Sequence, residues 1–130
     1  MDFTEIVEQL LYASEGNDLD FKRDQYPFDG ANDEDKGELL KDILAFANAW
    51  RRTDAYILIG VDEVPGGGKS TVVGISSHID DANLQQFVSS KTQKPLTFSY
   101  QALSIEGKDV GVITIPIQER PFSLKKILAG

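Results

Sequence analysis

Apolar side chains recur along this chain with two periods, the helical one of 3.6 residues and the strand one of two residues. Helical spacing predicts three helices, at about residues 4–14, 33–50 and 81–91. Alternating or short apolar runs bounded by glycine or proline predict strands at residues 18–22, 56–62, 71–75, 96–100 and 110–115, with a short edge strand at 121–126. The order strand, helix, strand predicts a right-handed βαβ crossover.

These elements predict one α/β (α+β) domain, a mixed sheet flanked by helices. Trp50 continues the apolar stripe of the second helix, so we expect its indole in the core. In the first strand Leu19 and Phe21 alternate with polar residues and point into the core. Asp20 and Lys22 therefore share the opposite face of that strand.

The segment Gly66–Thr71, GGGKST, resembles a nucleotide phosphate-binding loop. That loop requires a glycine six residues before the lysine, where this chain has Glu63, and a helix that begins at the Lys-Ser step. The β-branched residues that follow are typical of a strand instead. We therefore predict a β-hairpin here and no ATP binding at this loop.

The amino-acid composition narrows the cellular compartment and the kinds of cross-link and metal site that the domain can have. The 130 residues, 41% hydrophobic, suffice for one modest core, and the absence of cysteine excludes disulfides and thiolate metal sites. The N-terminus is acidic, unlike a signal peptide, and no apolar run approaches the roughly 20 residues of a membrane span. We expect a cytoplasmic domain without a membrane partner, with residues 1–130 forming the N-terminal part of a longer chain.

Charge is distributed unevenly along the sequence. The net charge is −8, which disfavours indiscriminate binding to polyanions, but residues 1–63 hold 16 acids and 6 bases whereas residues 64–130 hold 5 acids and 7 bases. A local basic face is compatible with this asymmetry. The candidate nucleic-acid contacts are Lys22, Arg23, Arg51, Arg52, Lys91 and Lys94, with Lys125 and Lys126 as more distant ones.

Three carboxylates form the second candidate site. Glu15 precedes the first strand, Asp20 lies on it, and Asp62 ends the next strand, which a βαβ unit places alongside. Converging carboxylates can hold Mg²⁺ or Mn²⁺, and Lys22 beside them could neutralise a phosphate. The alternative is a set of solvated acids at strand ends with a surface lysine.

Three ordered segments carry a family resemblance. Glu15–Lys22 (EGNDLDFK), Ala45–Asn48 (AFAN) and Ile57–Asp62 (ILIGVD) resemble the Schlafen AlbA-type domain, which has E-x-x-x-L-E-F-K, A-F-A-N and I-G-V-D segments in this order. The downstream V-V-G-I and R-P-F also fit. Two departures are Asp20 in place of the usual glutamate, and Arg51–Asp54 where many members have a Gly-Gly turn.

The resemblance implies an Alba-like fold and a DNA-binding or nucleic-acid-binding module of a bacterial transcriptional regulator or helicase-like protein. In the Schlafen nucleases, the matching positions imply Glu15, Asp20 and Asp62 as metal ligands, with a paired arrangement that a single copy could reach as a homodimer. We therefore hold three hypotheses: a nucleic-acid-binding module, a divalent-metal-dependent endoribonuclease, and a protein-interaction or oligomerisation domain. The first is the leading one, and it requires no cofactor.

Overall fold

The computed structural model describes residues 2–64 and 66–125. Within them, three helices and six strands follow one another along the chain. These are α1 (Phe3–Leu10), β1 (Leu19–Lys22), α2 (Gly37–Asn48), β2 (Ala55–Ile59), β3 (Val61–Asp62), β4 (Thr71–Val72), α3 (Asp81–Lys91), β5 (Ser99–Ile105) and β6 (Lys108–Ile115). The predicted class, a single α+β domain with a mixed sheet and flanking helices, is confirmed.

The main sheet has the strand order β1-β2-β6-β5. β1 and β2 are parallel neighbours joined through α2, as the βαβ pattern predicts, and β6 pairs antiparallel with β2 and with β5. β3 and β4 form a separate antiparallel hairpin. The segment after Lys69 is thus a strand in a hairpin, as predicted. The absence of ATP binding there stays a prediction.

Apolar side chains cover both faces of the sheet. On one face α2 and α3 pack over alternate residues of the central strand, Ala55, Ile57 and Ile59. On the other face α1 and the β3–β4 hairpin pack around Leu58. Because β2 is enclosed on both sides, its sequence is an almost unbroken apolar run, as in strands buried on both faces.

Gly60 divides the run 56–62, which the sequence predicts as one strand, into β2 and β3. Its φ of 98° lies in the left-handed region that favours glycine, and a Cβ at this position would lie 3.3 Å from the backbone of Gly74. The chain turns there and leaves the main sheet, with the Gly60 amide donating to the Lys22 carbonyl at 2.7 Å.

The first two helices are shorter than predicted. α1 ends at Leu10 because the next three amides donate to carbonyls three residues back, as in a tight final turn. The side chain of Asn32 accepts from the Asp35 amide, so Asn32 caps a turn before α2 and not α2 itself. No helix within residues 2–64 and 66–125 has both the length and the apolarity needed to cross a membrane.

The prediction that Trp50 is buried is wrong. α2 ends at Asn48 and Ala49 is extended (ψ 147°), so Trp50 leaves the helical stripe, and 76% of its surface is exposed. The expected edge strand at 121–126 is reduced to one bridge between Leu124 and Thr92, and residue 126 lies outside the described residues.

The aromatic ring of Tyr100 crosses from β5 onto β6. A Cβ added to Gly111 would overlap the Tyr100 hydroxyl, so glycine provides the space for this ring. The hydroxyl lies 2.8 Å from His78 Nδ1 and accepts from Gln25 Nε2 at 3.0 Å. The ring thus links two loops to the sheet.

We expect Gly111→Ala to lower the free energy of unfolding by about 1–3 kcal/mol, as overpacking does in other cores. Urea denaturation measures this. Gly37→Ala is the matched control, because the first residue of α2 has open space around it and alanine favours a helix. Equal stability of the two variants would contradict the proposed role of Gly111.

Candidate functional site

A cleft of about 430 Å³ opens between β1 and α2. We call it the β1–α2 cleft. Its charged lining is Glu15, Asp20, Lys22 and Asp42, and its apolar wall includes Phe46. The alternation of β1 accounts for this lining: Leu19 and Phe21 pack on the α1 side, so the residues between and after them project toward α2.

Glu15 completes the open edge of the sheet. β1 is an edge strand, so its outer N–H and C=O groups have no strand beside them. The Phe21 amide donates to the Glu15 carboxylate at 2.8 Å, and the Gly16 amide donates to the Leu19 carbonyl at 3.0 Å. The turn after α1 therefore acts as a substitute for a neighbouring strand.

The Glu15 carboxylate lies against that of Asp20. Hydrogen bonding between the two carboxyl groups, and then partial burial, raises the pKa of Glu15, while the Phe21 amide opposes this by favouring the charged form. Two adjacent carboxylates repel one another when both are ionised. This pair is the part of the predicted trio that the structure brings together.

Lys22 compensates part of the negative charge of the cleft. Its Nζ lies 3.3 Å from Asp20 and 3.4 Å from Asp42. Partial burial acts to lower the pKa of Lys22, but the two carboxylates outweigh it and the pKa is raised. The Tyr26 hydroxyl donates to Asp42 at 2.6 Å, and burial followed by this carboxylate strongly raises the pKa of Tyr26.

Asp62 does not join the pair. It lies on the β3–β4 hairpin, where Arg23 Nη1 is 3.6 Å from its carboxylate. Throughout residues 2–64 and 66–125, no three acidic or histidine side chains are grouped closely enough to hold a metal ion. The predicted ligands Glu15, Asp20 and Asp62 are therefore not assembled into one cation site in this structure.

Three of the predicted nucleic-acid contacts form ion pairs within the domain. Lys22 is held in the cleft, Arg23 faces Asp62, and Lys91 Nζ lies 2.6 Å from Asp33. Their charges are compensated locally, which reduces the attraction they could exert on a phosphate.

Four cations near the C-terminal end of α2 differ from these three in their partners. Arg51 donates to the carbonyls of residues 46, 53 and 115. Lys94 donates to the Glu119 carbonyl and lies 4.5 Å from the centre of the Phe122 ring. Arg120 donates to the Asn48 carbonyl, and its guanidinium lies 4.4 Å from the centre of the Trp50 ring. Arg52 is exposed.

We call these four residues, Arg51, Arg52, Lys94 and Arg120, the basic cluster. In the part of the chain that the structure describes, no carboxylate lies within salt-bridge distance of any of them. Burial lowers the pKa of Arg51, while the carboxylates of Asp54 and Asp18, which lie beyond salt-bridge distance, act in the opposite direction. Arg51 also has a structural role, because its guanidinium joins the Phe46 carbonyl at the end of α2 to the Ile115 carbonyl at the end of β6.

Asn48 joins the two segments of the basic cluster. Its side-chain oxygen accepts from the Phe122 amide at 2.6 Å, and its side-chain nitrogen donates to the Phe122 carbonyl at 3.0 Å. The C-terminal segment is therefore fixed against the end of α2.

Comparison with protein families gives a match to the Schlafen, AlbA_2 family over residues 15–126, which is most of the chain. The chain belongs to this family. The match includes the segments that contain the β1–α2 cleft, Asn48 and the basic cluster. No curated protein is significantly similar to it.

Two solved structures share the fold of this AlbA_2 domain. The N-terminal domain of a RecG-related protein of Nitrosomonas europaea, assigned as an ATP-dependent DNA helicase, is 20% identical with a TM-score of 0.57, over 97% of this chain and 82% of that one. A Corynebacterium diphtheriae protein is 18% identical with a TM-score of 0.57, over 89% of this chain. The match spans only 22% of that second protein.

Sequence reasoning missed Asp42 of the β1–α2 cleft and Tyr26, which donates to it. Asp42 lies on the same side of α2 as the buried Leu39 and Phe46, since positions three or four apart share a helical face. The sequence signal for Asp42 was therefore an acidic residue at a core-facing position of the second helix. Nothing in the sequence indicates that Tyr26, in the loop before α2, reaches Asp42.

The raised pKa of Glu15 predicts a pH-dependent effect of Glu15→Gln. Glutamine stays neutral and keeps an acceptor for the Phe21 amide, whereas Glu15 ionises beside Asp20. The stability that Glu15 contributes is complete below its ordinary value of 4.5 and is lost as the pH rises through the raised pKa. We therefore expect the variant to gain stability relative to the wild type as the pH rises from about 4 to 7.

Urea denaturation at both ends of this pH range measures the difference. Glu34→Gln makes the same substitution at an exposed position and is the matched control. A pH-independent effect of Glu15→Gln would show that Glu15 ionises as freely in the folded protein as in the unfolded chain.

Proposed function

We propose that this domain binds nucleic acid, and specifically DNA, through the basic cluster. The observation that supports this proposal is that the cations fall into two groups, those paired with carboxylates and those outside every described ion pair. Lys22, Arg23 and Lys91 are compensated by carboxylates, whereas the four members of the basic cluster lie outside every described ion pair, and three of them contact carbonyls or aromatic rings. Their positive charge is available to an external anion.

The net charge of −8 determines how such binding would work. A polyanion is repelled at long range, so attachment depends on short-range contacts made by a few clustered bases. Phosphates are the natural partners of such bases, and phosphate contacts position a protein on DNA without reading its sequence. We expect modest affinity, little sequence preference and a steep dependence on salt.

The relatives agree with this proposal. The AlbA_2 family is associated with nucleic acid, and the similar domain from Nitrosomonas europaea is the N-terminal part of a protein assigned as a DNA helicase. The identity of 20% supports the fold alone, so the proposal depends on the basic cluster.

The endoribonuclease alternative depends on a metal that the described residues do not fit. Glu15 and Asp20 are adjacent, but Lys22 occupies the space beside Asp20, and Asp62 pairs with Arg23. A divalent ion bound by carboxylates needs several oxygen ligands around one point. We therefore propose binding rather than cleavage.

We expect the double variant Arg52→Gln, Lys94→Gln to weaken binding to all DNA sequences alike. For duplex DNA, the slope of log affinity against log salt should become shallower by about 0.9 for each phosphate that the variant no longer neutralises. Fluorescence anisotropy of a labelled duplex across a salt titration measures both quantities.

The matched control is Lys69→Gln, Lys108→Gln, which removes the same charge near the β5–β6 turn. That turn lies at the opposite end of the sheet from Ile115, the residue whose carbonyl accepts from Arg51. Equal losses of affinity in both variants would indicate an effect of net charge alone. If the wild-type domain binds no nucleic acid even at low salt, the protein-interaction hypothesis takes the place of this one.

A further inference from the structure

We propose that Trp50 is a stacking platform for an unpaired base of single-stranded DNA. This inference rests on the proposed function and adds the form of the ligand. Among residues 2–64 and 66–125, Trp50 is the most exposed large hydrophobic residue, at 76%, although tryptophan is usually well buried in folded domains. An exposed indole among cations that form no described ion pair is the combination found in sites for single-stranded nucleic acid.

The indole is exposed but held in place. The Arg120 guanidinium lies over the ring at 4.4 Å from its centre, and Arg120 is itself anchored to the Asn48 carbonyl. The Trp50 carbonyl accepts from the Asn17 side chain at 2.9 Å. With the backbone anchored and Arg120 over the ring, ordering the side chain would cost a ligand little conformational entropy.

The surroundings of Trp50 match the two parts of a nucleotide. A depression of about 200 Å³ beside the ring is lined by Arg51 and Arg120 and by the half-exposed Ile117, so apolar and cationic groups adjoin. The apolar surface suits the flat face of a base. The cations of the basic cluster suit the phosphates on either side of it.

Base stacking within a duplex makes a single strand the better ligand for Trp50. A base inside a duplex is stacked on both faces by its neighbours, so an indole can reach it only after the base has left the stack. A single strand offers its bases without that cost. We therefore expect the contribution of Trp50 to appear with single-stranded DNA and to be nearly absent with a duplex.

The chain provides its own probe, because Trp50 is its only tryptophan. Titration of the domain with an unlabelled oligothymidine should quench the intrinsic fluorescence to saturation. Anisotropy with a labelled oligothymidine and a labelled duplex then compares the wild type with Trp50→Ala, Trp50→Phe and Tyr12→Ala. Tyr12, 67% exposed, is the matched control for removal of a surface aromatic side chain.

Trp50→Ala should weaken single-strand binding about 5- to 150-fold, the range that corresponds to the loss of one stacked base. Duplex binding should change less than about twofold, since its phosphate contacts remain. Trp50→Phe should retain most of the affinity because it keeps an aromatic face, and Tyr12→Ala should behave as the wild type.

Wild-type affinity of Trp50→Ala for the single strand, or no fluorescence change at saturation, would overturn this inference and leave the proposed function intact. No binding of the wild type to either DNA would overturn the proposed function itself. An oligouridine of equal length bound more tightly than oligothymidine, with the same dependence on Trp50, would overturn the choice of DNA.

Discussion

The hydrogen bond from the Phe21 amide to the Glu15 carboxylate is the contact on which the candidate cleft depends. It closes the free edge of β1 and ties that strand to the turn after α1. The pairing of β1 with β2 on the other edge sets the register, and with both edges satisfied Asp20 and Lys22 face α2 and meet Asp42. A glutamate placed for structural reasons thus brings two carboxylates together, and the nearby lysine makes that arrangement tolerable in a partly buried place.

The same electrostatics divide the surface of the domain into two regions. Around β1 and the loop before α2, acids outnumber bases and bind the nearby lysines and arginines. At the end of α2 the cations are held by backbone carbonyls, which orient a guanidinium or ammonium group without cancelling its full charge. A strongly acidic protein can in this way keep a positive region, which the overall charge of −8 conceals.

Local patterns predicted the order of the elements and the faces of β1, because alternation and helical spacing act within a few residues. They placed some bounds wrongly: the strand predicted at 96–100 is β5 at Ser99–Ile105, and the one predicted at 71–75 is limited to Thr71–Val72. Strand alternation correctly predicted that Asp20 and Lys22 share one face of β1. Local patterns failed at Trp50, where the apolar stripe continues past Asn48 but the backbone becomes extended at Ala49. They also could not predict that Asp42 meets Lys22 or that Arg120 meets Trp50, since both contacts join segments far apart in sequence.

The contact between Asn48 and Phe122 has a further consequence for sequence variation. The Asn48 side chain binds the amide and the carbonyl of residue 122, both of which belong to the main chain. Residue 122 is thus recognised by its backbone, and its side chain is free to change as far as packing permits. Position 48 has no such freedom. Aspartate lacks the donor and glutamine is longer by one methylene, so only asparagine offers both groups at this reach.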